Sequence, residues 1–155
     1  MEEMEGLYFV GKREDVMEAR RVFTTVNDRD VLIIYHEGEF YAMDSYCYHA
    51  AGKLQDGDIE ECGGKMCIIC PNHKYKIALV GGESLYKATD PTERQPVPRW
   101  YSKGVKQRTH RVVESNGDVY VRLSEEPGWI ESDFFQGEKG KVERAKAEAA
   151  EKKKR

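Results

Sequence analysis

The chain has 155 residues, of which 39% are hydrophobic and 34% charged, enough for one packed domain with no room for a second catalytic module. A net charge of −3, with no basic, aromatic-interleaved face in the core region, gives no electrostatic case for nucleic acid. No apolar run approaches the ~18–20 residues that span a bilayer, and the opening Met1-Glu2-Glu3-Met4-Glu5 is acidic where a presequence is basic, so the expected location is the cytoplasm without membrane insertion.

From Leu7 the sequence reads as short strands between turn residues: Leu7 to Val10, Arg21 to Val26, Val31 to Tyr35 and Phe40 to Met43. Spacing of this kind predicts an all-β antiparallel sandwich or barrel. Glu37-Gly38-Glu39 reads as a tight hairpin, glycine supplying the positive φ. Asp15 to Arg21 reads alternatively as one helical turn with Asp15 as its N-cap.

Two Cys/His pairs follow, Cys47-Tyr48-His49 and Cys70-Pro71-Asn72-His73, each presented by its own loop. Thiolate and imidazole are good ligands for a borderline metal, so Cys47, His49, Cys70 and His73 form a candidate four-ligand site. A zinc finger usually groups two cysteines and then two histidines, whereas here each knuckle is mixed. Mixed knuckles suit a two-iron, two-sulfide centre in which one iron takes both cysteines and the other both histidines. One tetrahedral zinc ion on the same four residues is the alternative. Gly52 either brings the backbone close to the metal or serves a turn.

Gly57-Asp58 and Gly63-Gly64-Lys65 punctuate short strands, and Met66 to Ile69 is an apolar strand that delivers Cys70. Cys67-Ile68-Ile69-Cys70 matches a thiol redox spacing, but residues three apart on a strand point to opposite faces. Cys67 is therefore expected to be a small buried hydrophobe, and Cys62 an accessible or half-buried free thiol. Gly81-Gly82 starts a turn, Leu85 to Lys87 a brief strand, and Pro91 to Pro98 a loop that cannot join a central strand. Arg108 to Glu114 and Gly117 to Leu123 form a hairpin turned by Asn116-Gly117, and His110 on its first arm has no partner motif. Beyond Pro127-Gly128, Trp129-Ile130 and Phe134-Phe135 can dock, whereas Glu138 to Arg155 has helical propensity but little apolar surface. A frayed helix or a disordered tail is expected there, its basic end open to a localisation or docking role.

Cys47-Tyr48-His49-Ala50-Ala51-Gly52-Lys53-Leu54, then Asp56-Gly57-Asp58-Ile59, then Cys70-Pro71-Asn72-His73 resemble the two cluster-binding loops of Rieske-type ferredoxins. Gln95-Pro96-Val97-Pro98 and the closing strand Gly117 to Val121 stand where that family has a proline-containing segment and a last strand. The narrower likeness is to the small soluble Rieske domain-containing proteins of animals. The resemblance covers roughly residues 7 to 123, and implies a Rieske domain of 7–123 with a charged extension of 124–155, partly docked and then frayed or disordered.

The resemblance further implies one [2Fe-2S] cluster, with Cys47 and Cys70 on the inner iron and His49 and His73 on the outer one. It implies a monomeric electron carrier without substrate chemistry, taking electrons from a reductase and giving them to an oxygenase or other reductive enzyme. A small subunit of a larger reductase is another possibility. Oxygenases of this family add a mononuclear iron on two histidines and a carboxylate, and only His36 and His110 remain here, so the chain is not a complete oxygenase. The family's third segment covers the cluster, so Pro96 and Pro98 either shield it or act as a rigid connector. Where family members commonly place glycine after the second histidine, Lys74 stands. Positions that carry a loop-bridging disulfide in high-potential members correspond to Gly52 and Asn72, and their serine and tyrosine to Tyr75 and Ala78. A potential in the lower half of the Rieske range, about −150 mV, is expected.

Overall fold

Alternation of apolar and polar residues over short runs, broken by glycine-bearing turns, builds a mostly β molecule. The computed structural model describes residues 5–153. The acidic start at residues 1–4 and the last two basic residues, Lys154 and Arg155, lie outside the described residues, and with them the presequence and localisation readings. In chain order the elements are β1 (Leu7–Lys12), α1 (Arg13–Ala19), β2 (Arg21–Val26), β3 (Arg29–His36), β4 (Glu39–Asp44), β5 (Asp58–Cys62) and β6 (Lys65–Ile69). They continue with β7 (Lys76–Ala78), β8 (Glu83–Ala88), β9 (Arg99–Val105), β10 (Thr109–Ser115), β11 (Asp118–Arg122) and α2 (Glu138–Lys153). Two antiparallel sheets result, one ordered β1-β11-β10-β4-β3-β2 and the other β5-β6-β7-β8-β9.

Strand β3 shows why the sheets pack as they do. Val31, Leu32, Ile33 and Ile34 are all fully buried, because the strand is covered on both faces. Side chains alternate along a strand, so Val31 and Ile33 join Val26, Ala42, Val119 and Val121 on one face. Leu32 and Ile34 join Met43, Leu54, Ile68, Ile77 and Leu79 on the other, and this second core also encloses Cys47 and Cys70. Full burial of each such side chain stabilises the fold by roughly 1.5–3 kcal/mol.

The turns follow the sequence closely. Glu37 (φ 46°) with Gly38 (φ 85°), and Asn116 (φ 51°) with Gly117 (φ 80°), each place two successive residues at positive φ, the turn that matches strand twist. The helical reading of the segment after β1 also holds, with shifted bounds. The helix starts at Arg13 rather than at Asp15, which lies with Glu14 in the first turn and complements the helix dipole without capping it. Strands β7 and β9 were not expected. β9 carries Arg99, Lys103 and Gly104 and is exposed at every position but one, so it lacks the alternation that reveals a strand.

The described C-terminal segment docks in part and continues as helix α2. Phe135 is buried while Trp129 stays 66% exposed, so only part of the expected aromatic docking occurs. Helix α2 then lies on the body through charge. Lys141 reaches Asp28 (2.9 Å), Arg144 reaches Asp30 (2.5 Å) and covers the Tyr46 ring (4.1 Å), and Lys53 reaches Glu148 (2.8 Å). Positions 141, 144 and 148 share one helix face, so docking needs no apolar stripe.

Beneath that segment sits a buried ionic hub. Asp44, fully buried at the end of β4, accepts Arg29 Nε (2.7 Å) and Arg29 Nη2 (2.6 Å) on its two oxygens, and also Ser132 Oγ (2.6 Å). His110 completes it: its Nδ1 accepts the Ser124 amide (2.9 Å), leaving the hydrogen on Nε2, 2.8 Å from Asp44. Asp133 binds both Arg29 (2.5 Å) and Arg108 (2.8 and 2.9 Å). Burial pushes the Asp44 carboxyl up, but bonds from His110 and Arg29 outweigh it and hold the group below the usual carboxylate range. Asp133 is lowered in the same way, against its burial, by Arg108, the Ile130 amide and Arg29.

Carboxyls lowered in the folded state stabilise it above their unfolded pKa, near ~4, and that contribution disappears as pH falls through the folded values. Urea unfolding is therefore expected to give a flat stability from pH 7 to about 5 and a decline below about 4. Asp44→Asn should cost about 3–5 kcal/mol at pH 7 and shrink the acid slope. A wild-type curve flat down to pH 3 would contradict the hub.

Candidate metal centre

Both Cys/His loops are built to one plan. In the first, Cys47 N–H donates to Gly52 O (2.8 Å) and Ala51 N–H returns to Cys47 O (3.0 Å). In the second, Cys70 N–H donates to Tyr75 O (2.8 Å) and Lys74 N–H returns to Cys70 O (2.9 Å). The residue four after each cysteine, Ala51 or Lys74, has φ 60°. This explains the substitution at residue 74: the position demands a left-handed backbone, which glycine adopts freely and lysine at a cost of ~1–2 kcal/mol.

The plan segregates the donors. Cys47 and Cys70 are buried at 0% and 2% exposure inside the inter-sheet core, whereas His49 and His73 are exposed. The two thiols hydrogen-bond to each other, which raises Cys47 and lowers Cys70. Amides converge on both sulfurs, those of His49 and Ala50 on Cys47 and those of Asn72 and His73 on Cys70. Outside, the imidazoles approach edge to face with ring centroids 5.0 Å apart. Burial, then His73 and Lys103, lower the His49 pKa. Of the four candidate donors the structure thus pairs the two thiols within the core and the two imidazoles outside it.

Several neighbours shape the pocket. A Cβ on Gly52 would overlap Cys70 Sγ and lie 3.3 Å from the Asn72 side-chain Nδ2, so this glycine serves close backbone approach. Tyr75 stacks on His49 (4.1 Å, 24°) and meets Tyr48 edge to face (5.7 Å), while the Tyr48 hydroxyl bonds Ser84 (2.7 Å). Pro96 and Pro98 are exposed, and the loop's hydrogen bonds run from Thr92 to Asp90 and from Arg99 to Glu93, as suits a connector.

Cys67 is fully buried on the strand face opposite to Cys70, as expected. Cys62 departs from expectation, since at 3% exposure it packs with Cys67 against Trp100 instead of being accessible. His110 belongs to the Asp44 hub, and His36 lies at the end of β3, 3.6 Å from Glu37.

The residue that sequence reading missed is Gln107. It is fully buried, donates Nε2 to Asp44 O (2.9 Å) and Tyr46 O (2.8 Å), and accepts Tyr48 N–H (3.0 Å) on Oε1. It therefore grips the backbone on both sides of Cys47. Its own backbone is seated on Gly82, whose carbonyl accepts the Lys106 and Gln107 amides (3.1 and 3.2 Å) and where a Cβ would collide with Gln107 O. No local pattern marks such a glutamine, which precedes β10 among polar residues.

Residues 8–126 match the family model for the soluble Rieske-type ferredoxin. The chain belongs to that family. A human Rieske domain-containing protein is 49% identical to this ferredoxin over 126 residues, covering 81% of this chain and 80% of the relative. The 3-phenylpropionate/cinnamic acid dioxygenase ferredoxin subunit of Photorhabdus laumondii is 29% identical over 98 residues, 63% of this chain and 76% of the relative. The solved ferredoxin of carbazole 1,9a-dioxygenase from Nocardioides aromaticivorans superposes with a TM-score of 0.56 at 18% identity. That match covers 77% of this chain and 100% of the other, a likeness of fold.

Soluble Rieske-type ferredoxins carry electrons and do not transform substrates, and the family implies a [2Fe-2S] cluster. The donor set fits: two thiols beside converging amides can hold one iron, two neighbouring imidazoles a second, and Gly52 leaves the space a side chain would fill. Among the described residues no helix is long and apolar enough to cross a membrane.

The loop grip is testable. Gln107→Ala should lower cluster retention under chelator challenge by about 10–100-fold with unchanged far-ultraviolet circular dichroism. Gly52→Ala should fold yet hold little iron. A Gly52→Ala protein with full iron content would show that the close approach is not needed.

Proposed function

We propose that the protein is a monomeric, cytoplasmic one-electron carrier in which Cys47 and Cys70 hold one iron of a [2Fe-2S] cluster and His49 and His73 the other. The observation that carries this reading is the segregation of donors, two thiols inside the core and two imidazoles at the surface. The bound cluster supplies one-electron uptake and release. Cys47 and Cys70 hold their iron as thiolates in a site closed to water by Leu32, Leu54 and Ile68. The amides of His49, Ala50, Asn72 and His73 offset negative charge on the sulfurs. His49 and His73 present their rings to solvent, where another redox centre can approach. Residues 7–123 form the carrier domain and 124–155 its C-terminal extension, which docks in part, through Lys141, Arg144 and Glu148.

The partners in this reading are a reductase that donates and an oxygenase or other reductive enzyme that accepts. Support comes from the names of relatives, among them ferredoxin components of naphthalene 1,2-dioxygenase systems and a ferredoxin solved in complex with its oxygenase. The potential is placed low in the Rieske range, about −150 mV, because Gly52 and Asn72 cannot bridge the loops by a disulfide. Tyr75 stacks its ring on His49, and Ala78 offers no hydroxyl.

Protein reconstituted anaerobically is expected to be red-brown, to contain two irons and two sulfides per chain, and to show a midpoint well below +100 mV. Replacing His49 and His73 together should change its visible spectrum. A colourless protein carrying one zinc would overturn the reading, and a midpoint above +100 mV would overturn the potential argument alone.

A further inference from the structure

Beside His49 the surface carries a row of rings and cations that begins at Tyr75, in the pocket wall, and runs on beyond it. Tyr86 on β8 and Tyr101 on β9 are cross-strand partners, so they share a face, and their rings stack at 5.5 Å and 27°. Lys103, two residues further along β9, shares that face. Its ammonium lies 5.6 Å from the Tyr86 ring and 4.7 Å from the Tyr75 ring, and Tyr75 stacks on His49 at 4.1 Å. Each member thus touches the next, from His49 out to Tyr101. Tyr86 and Tyr101 are each 39% exposed, and β9 is an edge of its sheet.

The charge along this row opposes that of the chain. Lys74 and Lys76 flank Tyr75, and Lys103 stands over it, while the nearby carboxylate of Glu83 is engaged by Lys65 and Ser102. On the opposite flank of the histidines charges cancel in pairs, Lys53 with Glu148, Arg144 with Asp30 and Lys146 with Glu143. Lys103, over the ring that stacks on His49, is thus a cation held against this flank of the histidines, with Lys74 and Lys76 adjoining Tyr75 in sequence, in a chain of net charge −3.

We propose that Tyr75, Tyr86, Tyr101 and Lys103, flanked by Lys74 and Lys76, form the docking strip for an electron-transfer partner protein whose own docking face is acidic. The inference rests on the reading of His49 as the electron exit. Tyrosine gives large contact area with a polar end and is enriched at protein interfaces. Lysines around an exit steer an acidic partner toward it and set orientation. Three lysines fall short of the ~4–8 clustered cations that anionic lipid recognition uses.

The test is stopped-flow oxidation of the reduced, fully coloured protein by ferricyanide and by hexaammineruthenium(III) as ionic strength rises. Overall charge predicts that salt accelerates the ferricyanide reaction, whereas the strip predicts that salt slows it. Lys103→Glu should cut the low-salt ferricyanide rate by roughly 3–10-fold and raise the ruthenium rate, with Lys103→Gln between. Amide shifts on adding poly-glutamate should fall on Tyr86, Tyr101 and Lys103. Ferricyanide rates that rise with salt, an unaltered rate in coloured Lys103→Glu protein, or binding to phosphatidylserine vesicles lost in Lys103→Glu would overturn the strip while leaving the carrier intact. A colourless wild type would remove the underlying reading and the strip together.

Discussion

The strand that feeds the first Cys/His loop ends on one buried carboxylate. Asp44 ends β4 and is three residues before Cys47, so its position sets where the first loop begins. A lone carboxylate in that interior would be expensive, and it is retained because Arg29, His110 and Ser132 satisfy both of its oxygens. Its backbone carbonyl is held in turn by Gln107. The same hub draws in the segment after β11 through Ser132, Asp133 and Arg108, which ties the C-terminal region to the strand that feeds the metal centre.

From this anchor the two loops repeat one local solution. In each, a cysteine at the loop start is tied on both its N–H and C=O within the loop, and a left-handed residue four further on turns the chain back. Amides two and three residues along point at each sulfur, or in the first loop at residues 49 and 50 and in the second at 72 and 73. The cysteines fall into the core shared by the sheets, and the histidines fall outside it. Polarity of access follows from packing: the sulfurs are sealed and the imidazoles are open.

How much of this is legible without coordinates depends on whether a feature is local. The Cys/His spacing, the hairpin at Asn116-Gly117 and the strand from Arg21 to Val26 are written in contiguous residues, and the structure forms them there. Strand β9 is hidden because an exposed edge strand with Arg99, Lys103 and Gly104 has no buried face to imprint an alternation. Helix α2 docks by Lys141, Arg144 and Glu148, charges that in sequence read only as solvation. Asp44 and Gln107 are the sharpest case, since polar residues are usually outside and only their distant partners make burial tolerable. The four candidate donors and a close backbone approach at Gly52 are legible from spacing, but the amides beside each sulfur required the fold.

The central proposal is that one metal position is all-sulfur and its neighbour is sulfur and nitrogen, a reading that the inside-outside division of Cys47, Cys70, His49 and His73 supports. Mössbauer spectroscopy of the oxidised protein enriched in iron-57 measures the two positions separately. Two quadrupole doublets of equal area and different isomer shift are predicted, with the difference lost when both histidines are replaced by cysteine. A single doublet from two equivalent irons in the unaltered protein would contradict the account.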